Sequence, residues 1–262
     1  MLEYRFIQMS LLASFLISIL SALVGTFVVM RKMTSVTGSI SHSAFGGLGI
    51  GLLLGINPIY AALPFTMAVS AFFSLFKKSI RISEESALTI IWSFGMSLGI
   101  ILMNFKRGFS GEVLGYLFGS ILAVSVSDVW LMFFAIIIAS LVFGLFSREL
   151  VLVSFDEEFA NLKGINTKLF DLLFFMLTAL TVVILIKVAG VLVIMAFLTI
   201  PPIIAGRFVK SLKSIIMLSF VFNLIFSFSG MALSFYFNLP TGPSIVMLSI
   251  IALFFASIFR KK

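Results

Sequence analysis

The single histidine of this chain, His42, lies in an apolar stretch with hydroxyl-bearing and small residues at helical spacing around it. Ser35, Ser39, His42, Gly46 and Gly49 follow one another at intervals of four, three, four and three. These intervals place all of them on one face of an α-helix. A neutral imidazole beside hydroxyl groups can contact a passing cation, so this face could line a water-filled path. It could equally be a packing face, because small residues let neighbouring helices approach and serines hydrogen-bond across the contact.

The composition identifies the chain as an integral membrane protein. Of its 262 residues, 61% are hydrophobic and 11% are charged, whereas a soluble domain is typically about half apolar and about a quarter charged. A water-soluble fold of this length cannot bury so large an apolar fraction. The chain contains no cysteine, which excludes disulfides and thiolate metal sites.

Nine segments are candidate spans, because a membrane-spanning helix needs about 20 mostly apolar residues. They are residues 7–30, 37–56, 58–76, 87–104, 128–147, 170–186, 188–205, 214–236 and 242–259. The pattern predicts an all-α, polytopic integral membrane helical bundle of eight or nine transmembrane helices, forming a single transmembrane domain over residues 1–262. Pro201 and Pro202 cannot donate backbone hydrogen bonds, so we expect the seventh span to end or kink there.

The distribution of basic residues predicts the orientation, because cytoplasmic loops carry the excess of Lys and Arg. With the N-terminus outside and the C-terminus in the cytoplasm, all but four of the 18 Lys and Arg residues fall on the cytoplasmic side. The exceptions are Arg5, Lys106, Arg107 and Lys187. Topology in a lipid bilayer therefore explains the positive charge, and no nucleic-acid partner is expected.

Two segments between the spans differ from ordinary loops. Residues 105–127 are predicted to lie outside and are very apolar, which indicates a re-entrant or surface-lying helix. Residues 148–169 form the longest and most charged cytoplasmic loop, and a loop of this length usually has a function. Acids open a short helical pattern within it, where they complement the helix dipole, and Gly164 is expected to end that helix. By itself this pattern fits a capped surface helix as well as a docking element.

The other acids are expected at helix starts. Glu84 and Glu85 lie in the predicted first turn of the fourth span, where a negative charge suits the helix dipole. Asp128 follows a Ser-rich stretch and is predicted to be the N-cap of the fifth span.

Six segments, spread in order over nearly the whole chain, resemble the membrane permeases of bacterial ABC importers for zinc, manganese or iron. They are "VVMRKMTSVTGSISHSAFGGLGIGLLLGINP", "RISEESALTIIWSFGMSLGIIL", "GYLFGSILAVSVSDV", "FDEEFANLKGI", "KVAGVLVIMAFLTIPPIIA" and "ALSFYFNLPTGPSIV". The resemblance implies a permease in the bacterial plasma (inner) membrane that transports a divalent metal ion and holds no covalently bound cofactor. It also implies a homodimer, ATPase subunits on the cytoplasmic side and an extracytoplasmic metal-binding protein.

The chain itself is not expected to be an enzyme. It contains no G-x-x-x-x-G-K-[ST] loop, so ATP hydrolysis would take place in a separate subunit. The segment 156–164 is similar to the family loop that couples to that ATPase, with Glu158, Ala160 and Gly164 in the arrangement E-x-A-x-x-x-G. The residues predicted to couple are Asp156, Glu157, Glu158, Ala160 and Gly164.

His42 matches the histidine of the family's second span, which implies that it faces the path and contacts the metal. Family members commonly carry an Asp at the position of Gly38 and an acid at the position of Asn238. Because divalent cations prefer carboxylate or imidazole ligands, these two departures predict a loosely bound ion. The residues predicted along the path are Ser35, Gly38, Ser39, His42, Gly46 and Asn238.

Two other function classes fit the sequence less well. A secondary transporter driven by an ion gradient would explain a broken seventh span, but such carriers place several acids or bases at mid-membrane, and here the acids cluster at span ends. An intramembrane enzyme would need a serine beside His42. Ser41 and Ser43 are its sequence neighbours and point away from it on a helix.

Overall fold

The computed structural model describes residues 5–77, 82–105, 115–119 and 124–258. Within them the regular structure is helical, which confirms the predicted all-α polytopic class. The helices are α1 (Arg5–Met30), α2 (Thr34–Leu54), α3 (Pro58–Phe76), α4 (Glu84–Asn104), α5 (Val126–Phe155), α6 (Glu157–Leu162), α7 (Thr167–Phe208), α8 (Leu212–Phe237) and α9 (Thr241–Ile258). A single helical turn covers residues 115–118. The long helix α7 is central, because it packs against α1, α2, α3, α5, α8 and α9.

Seven helices of the described part are long and apolar enough to cross a membrane, fewer than the eight or nine predicted. The set comprises all the helices named above except α2 and α6. Helix α2 is excluded because its Ser, Thr, Gly and His residues lower its hydropathy. Most of its residues are nevertheless buried, since it packs against α4, α3 and α7. Of the polar residues of α2, Thr37, Ser39, Ser41 and Ser43 are covered by protein, His42 is half-buried, and Thr34 and Ser35 at its start are exposed.

Helix α7 folds back on itself at Gly190. This residue has φ 76° and ψ 157°, a conformation open essentially only to glycine. On one side of the fold, Asp171 contacts Arg31 just beyond the end of α1. On the other side, the backbone of Leu198 lies against Gly25, within the last turns of α1. A straight helix would separate residues 171 and 198 by about 40 Å, so the two halves of α7 run side by side.

The predicted sixth and seventh spans, 170–186 and 188–205, thus form the two halves of one folded helix. The expectation that the span could end at Pro201 and Pro202 is wrong, because the helix continues through both prolines to Phe208. Pro202 cannot donate to the carbonyl oxygen of Leu198, which would be its normal helical partner. That oxygen instead lies so close to α1 that a Cβ on Gly25 would come within 2.5 Å of it. The carbonyl that Pro202 leaves without its helical donor is thus covered by α1.

The short turn at residues 115–118 packs on the fold in α7. It ends at Gly119, which has φ 68°, and a Cβ on either Gly119 or Gly190 would collide with the backbone of the other segment. Gly242, at the start of α9, is also close to this turn, since a Cβ there would lie 2.6 Å from the carbonyl oxygen of Phe118. Of the segment 105–127, residues 106–114 and 120–123 lie outside the described part, so the prediction of a re-entrant helix stays a prediction.

Two predictions about α5 are corrected by the structure: where the helix ends and which residue is its N-cap. Residues 148–155 are helical and continue α5 past an irregular residue, Phe146, so the predicted loop 148–169 begins with helix. The N-cap of α5 is Ser125 and not Asp128. Asp128 occupies the third helical position, and its carboxylate accepts a hydrogen bond from the Ser125 backbone N–H at 2.9 Å. This reciprocal arrangement is a capping box.

A buried ion network joins the ends of α1, α3, α4 and α7. Asp171 accepts hydrogen bonds from Arg31 and from Lys77, the latter at 2.6 Å, and Lys77 lies 3.3 Å from Glu84. Arg31 also lies over the ring of Phe174, with its guanidinium carbon 4.4 Å from the ring centroid. We call these four charged residues the Asp171 network, and the end of the bundle that holds them the Asp171 end. The opposite end is the Gly190 end.

Candidate functional site

A cavity of about 250 Å³ opens between α2, α4 and α7 near the Asp171 end of the bundle. It is lined by Thr34, Ser35, Gly38, Ser39, Glu85, Leu88, Thr89, Trp92 and Met195. Three residues predicted from the spacing on α2, namely Ser35, Gly38 and Ser39, thus share one wall. The facing wall is formed by α4, and Met195 of α7 covers the space above Gly38.

The imidazole of His42 lies about two helical turns into the bundle from the start of α2. It stacks on Trp92, with ring centroids 4.3 Å apart and planes within 4° of parallel. Trp92 lines the cavity and His42 does not, so the imidazole is adjacent to the cavity wall and not part of it. The Nδ1 atom of His42 is buried and has no hydrogen-bond partner among the described residues. An imidazole nitrogen without a partner is chemically able to contact a cation.

Gly38 leaves room for a methionine. A Cβ at this position would lie 3.0 Å from the Cε of Met195. The glycine therefore brings a thioether into the cavity, where a larger residue would force the methionine to move. A thioether is a soft, weak ligand compared with a carboxylate.

Further along α2, the same face serves close packing. A Cβ on Gly46 would lie 2.7 Å from the ring of Phe65 in α3, and a Cβ on Gly49 would lie 2.8 Å from the carbonyl oxygen of Gly99 in α4. The structure therefore brings Ser35, Gly38 and Ser39 together at the cavity and separates Gly46 from them.

Asn238 lies at the Gly190 end, far along the bundle from the cavity. It is the exposed C-cap of α8 and has the left-handed conformation with φ 52°. The turn that follows is held by Ser234, whose hydroxyl donates to the carbonyl of Leu239 at 2.7 Å. The structure therefore separates Asn238 from His42.

Glu85 is the only carboxylate among the described residues that line the cavity, and it was not among the site residues predicted from the sequence. Both acids at the start of α4 were attributed to the helix dipole, and that argument cannot tell them apart. The usable signal was the spacing of Glu85, Thr89 and Trp92, at intervals of four and three, which places them on one face of α4.

The described residues do not form a preformed site of several strong metal ligands. Within the described part of the chain, no group of three or more His, Cys, Asp or Glu side chains could hold a metal ion. The cavity offers one carboxylate, several hydroxyls and a thioether, and the imidazole of His42 lies next to it, stacked on Trp92. Such a ligand set suits transient contact with a cation, as in a conduit from which the ion must also leave.

The predicted coupling residues form a compact element at the Asp171 end. Asp156 caps α6, because its carboxylate accepts a hydrogen bond from the Phe159 N–H at 2.9 Å. Ala160 is fully buried and Gly164 has φ 79°, as expected for the end of this short helix. Glu157 and Glu158 lie in its first turn.

Exposed apolar side chains lie at the end of α5 and on α6, where they alternate with the exposed polar residues Glu158 and Asn161. Phe155, Phe159 and Leu162 are 74%, 45% and 86% exposed. Beside them is a groove of about 530 Å³, lined by Arg148, Glu149, Val151, Leu152, Phe159, Lys163 and Ile165. The helix is tied to α7, since the hydroxyl of Thr167 donates to the side-chain oxygen of Asn161 at 3.1 Å. This hydrogen bond links α6 to the first residue of α7.

Comparisons with known proteins agree with this architecture. The ABC 3 transport family matches residues 3–260. The manganese transport system membrane protein MntC of Listeria monocytogenes is 31% identical over 263 residues, which cover 100% of this chain and 93% of that protein. The manganese import system permease protein ScaB of Streptococcus gordonii is 31% identical over 257 residues, which cover 98% of this chain and 92% of that protein.

A solved structure has the same fold. The chain superimposes on the structure of PsaBC from Streptococcus pneumoniae in complex with Fab with a TM-score of 0.86 and 28% identity, covering 97% of this chain and 91% of that one. The family resemblance inferred from six sequence segments is thereby confirmed over almost the whole chain. This protein belongs to the ABC 3 transport family.

Proposed function

We propose that the chain is the membrane-spanning permease subunit of an ATP-driven importer of divalent metal ions such as zinc, manganese or iron. The observation that carries the proposal is the family match over residues 3–260. The metal class is supported by the names of relatives that cover nearly all of this chain, several of which are manganese transport proteins. The working unit is a homodimer in the bacterial plasma membrane.

The Asp171 end faces the cytoplasm in this proposal, as the excess of basic residues predicts. The metal ion enters at the Gly190 end, delivered by an extracytoplasmic binding protein near Asn238. It then passes His42 and reaches the cavity beside Ser35, Gly38 and Ser39. One imidazole and a few hydroxyls bind the ion weakly, so it can be released.

The ATPase subunits dock on α6 and residues 156–164. The apolar side chains of Phe155, Phe159 and Leu162 are exposed, so burying them against a partner protein is favourable. ATP hydrolysis takes place in those subunits, and the movement is transmitted through the contact between Asn161 and Thr167 into α7.

The test is uptake of zinc, manganese and iron(II) by proteoliposomes that contain the chain, its ATPase and its binding protein. Wild type and His42→Ala are compared with Ser43→Ala, a control on α2 whose hydroxyl only donates to the carbonyl of Ile40. We expect ATP-dependent uptake of at least one metal, reduced at least about tenfold in His42→Ala, as for loss of one charge-assisted contact, and unchanged in Ser43→Ala.

Two results would contradict the proposal. Uptake that persists without ATP and stops with an uncoupler would identify a secondary transporter instead. If none of the three metals were taken up, the transported substrate would have to be something other than zinc, manganese or iron(II). Equal uptake by wild type and His42→Ala would remove His42 from the path while leaving the transport function intact.

A further inference from the structure

We propose that Asp171 is a positioning residue for transport, and that the Asp171 network passes movement of α6 to α2 and α4, the helices on either side of the cavity. The inference rests on the proposed function, because the movement starts where the ATPase docks. Through two cations, Asp171 joins the start of α7 to the connection between α1 and α2 and to the end of α3.

The first link runs from α6 to Asp171 along the start of α7. Thr167, the first residue of α7, donates to the side-chain oxygen of Asn161 in α6 at 3.1 Å. Asp171 follows Thr167 by four residues, so the two lie on one face of α7, one helical turn apart. Both residues are buried. The carboxylate therefore lies one turn from the contact with α6.

The second link connects Asp171 to the start of α2. The guanidinium of Arg31 donates to the carboxylate of Asp171 and lies over the ring of Phe174, so α7 contacts this side chain at two points. Arg31 belongs to the three-residue connection between α1 and α2, whose backbone N–H groups donate to carbonyls in the last turn of α1 at 3.0 to 3.2 Å. Thr34, which follows this short connection, is the first residue of α2 and lines the cavity.

The third link connects Asp171 to the start of α4. The ammonium group of Lys77 lies 2.6 Å from a carboxylate oxygen of Asp171 and 3.3 Å from one of Glu84. It also lies 5.8 Å from the centroid of the Phe175 ring, so α7 contacts Lys77 at two points as well. Glu84 is the first residue of α4, and the next residue, Glu85, lines the cavity. The network thus reaches both α2 and α4 at the cavity.

One donor in the network has no acceptor. The side chain of Arg31 is 7% exposed, and its Nη1 atom is buried without a hydrogen-bond partner among the described residues. An unpaired buried donor on a charged group is costly, and a buried ion pair is by itself weak evidence for stability. An anchor that served stability alone would satisfy this donor. A second position of α7, in which Arg31 finds a further acceptor, accounts for it.

The test compares two Lys→Met changes in proteoliposomes that contain the chain, its ATPase and its binding protein. Zinc, manganese and iron(II) are supplied in turn, and the number of metal ions imported per ATP hydrolysed is measured. Lys77→Met breaks the link to Asp171. We expect this ratio to fall at least about fivefold, the lower end of couplings between two sites, while ATP hydrolysis continues. Lys187→Met removes the partly exposed partner of Asp128 at the Gly190 end and should leave the ratio unchanged.

Further variants separate coupling from stability. A loss of stability alone would lower uptake and ATP hydrolysis together and leave their ratio unchanged. Lys77→Arg keeps the charge and should restore most of the ratio. Glu84→Gln breaks only the link from Lys77 to α4, and because Glu84 is half exposed the chain should fold normally. It should lower the ratio by a smaller factor than Lys77→Met.

A double variant tests whether the links act in series. Thr167→Val removes the hydrogen bond to Asn161 and should also lower the ratio. If movement passes from Thr167 through Asp171 to Lys77, the combination of Thr167→Val with Lys77→Met should be no worse than the worse single variant. Independent contributions would instead multiply.

The inference is overturned if Lys77→Met and Glu84→Gln keep the wild-type ratio, or if the two losses in the double variant multiply. Failure of the proposed function looks different, because wild type would then show no ATP-dependent uptake of any of the three metals. ATP-dependent uptake by wild type, together with equal ratios for Lys77→Met and Lys187→Met, would reject the role of the Asp171 network alone.

Discussion

The two ends of the first half of α7, residues 167–189, are held in place by different interactions. At the Asp171 end the contact is electrostatic, because a carboxylate that is 2% exposed is shared by Arg31 and Lys77. At the Gly190 end the contact is steric, because the backbone of α7 meets that of residues 115–119 where both lack a side chain. The ion pair near that end, Asp128 with Lys187, is more open, since Lys187 is 38% exposed.

The difference predicts where each end is vulnerable. In a buried network the removal of one charge leaves the others without compensation in a poorly solvated place. Where two backbones meet at glycines, a substitution destabilises the contact through the volume it adds, and its charge matters little. A partly exposed ion pair can be solvated after one partner is lost, so it contributes little. The Asp171 end lies next to α6, and the most charge-sensitive point of the bundle is therefore beside the proposed ATPase surface.

The largest effect is expected for Asp171→Asn. This change leaves Arg31 and Lys77 without their shared counter-charge, and breaking a buried ion pair typically costs about 3–5 kcal/mol. Thermal unfolding in nanodiscs measures the loss of stability. Asp156→Asn is the matched control, because an asparagine caps a helix as well as an aspartate. Equal melting temperatures for the two variants would show that the network is not the stronger contact.

The next largest effect is expected for Gly190→Ala. An alanine cannot adopt the conformation of Gly190 without strain of about 1–3 kcal/mol, and its Cβ would push residues 115–119 away from α7. Gly206→Ala is the control, since nothing lies within 4 Å of a Cβ there, and it should be neutral or slightly stabilising. In a chain without cysteine, Phe118→Cys reports the displacement through faster thiol labelling. Unchanged labelling in Gly190→Ala would rule out the steric contact.

Much of the fold was predictable from sequence because apolar runs of span length are local features. The continuation of α7 through Pro201 and Pro202 was not, because the local rule for proline predicts an interruption there. The carbonyl freed by Pro202 lies against Gly25, a residue on another helix whose relevance no local pattern reveals.

The candidate site was predictable only on one wall. Helical spacing placed Ser35, Ser39 and His42 on one face of α2, but the facing residues come from helices distant in sequence. Trp92 stacks on His42, and Met195 fills the space beside Gly38. The distinction between Glu84 and Glu85 also depends on a distant partner, because Lys77 at the end of α3 pairs with one of them.

A smaller effect is expected for Lys77→Met, which tests whether Asp171 depends on both of its cations. Arg31 remains to compensate the carboxylate, and methionine keeps apolar contact near the ring of Phe175. The loss should be about 1–2 kcal/mol, close to the value of one hydrogen bond to a charged group. A double-mutant cycle of Lys77→Met with Glu84→Gln should give a small coupling, because Glu84 is half exposed. A loss as large as that of Asp171→Asn would mean that Arg31 alone cannot stabilise Asp171.

The smallest effect is expected for Lys187→Met, the counterpart at the Gly190 end. Lys187 donates to both carboxylate oxygens of Asp128, at 2.8 and 3.0 Å. When it is lost, Asp128 still accepts from the backbone N–H and the hydroxyl of Ser125, at 2.9 and 2.6 Å, so its charge stays hydrogen-bonded within the capping box. With Lys187 38% exposed, the stability lost should be under about 1 kcal/mol, and it should shrink further at high salt. A loss comparable to that of Asp171→Asn would show that both ends of this half-helix depend on charge, and the contrast between them would disappear.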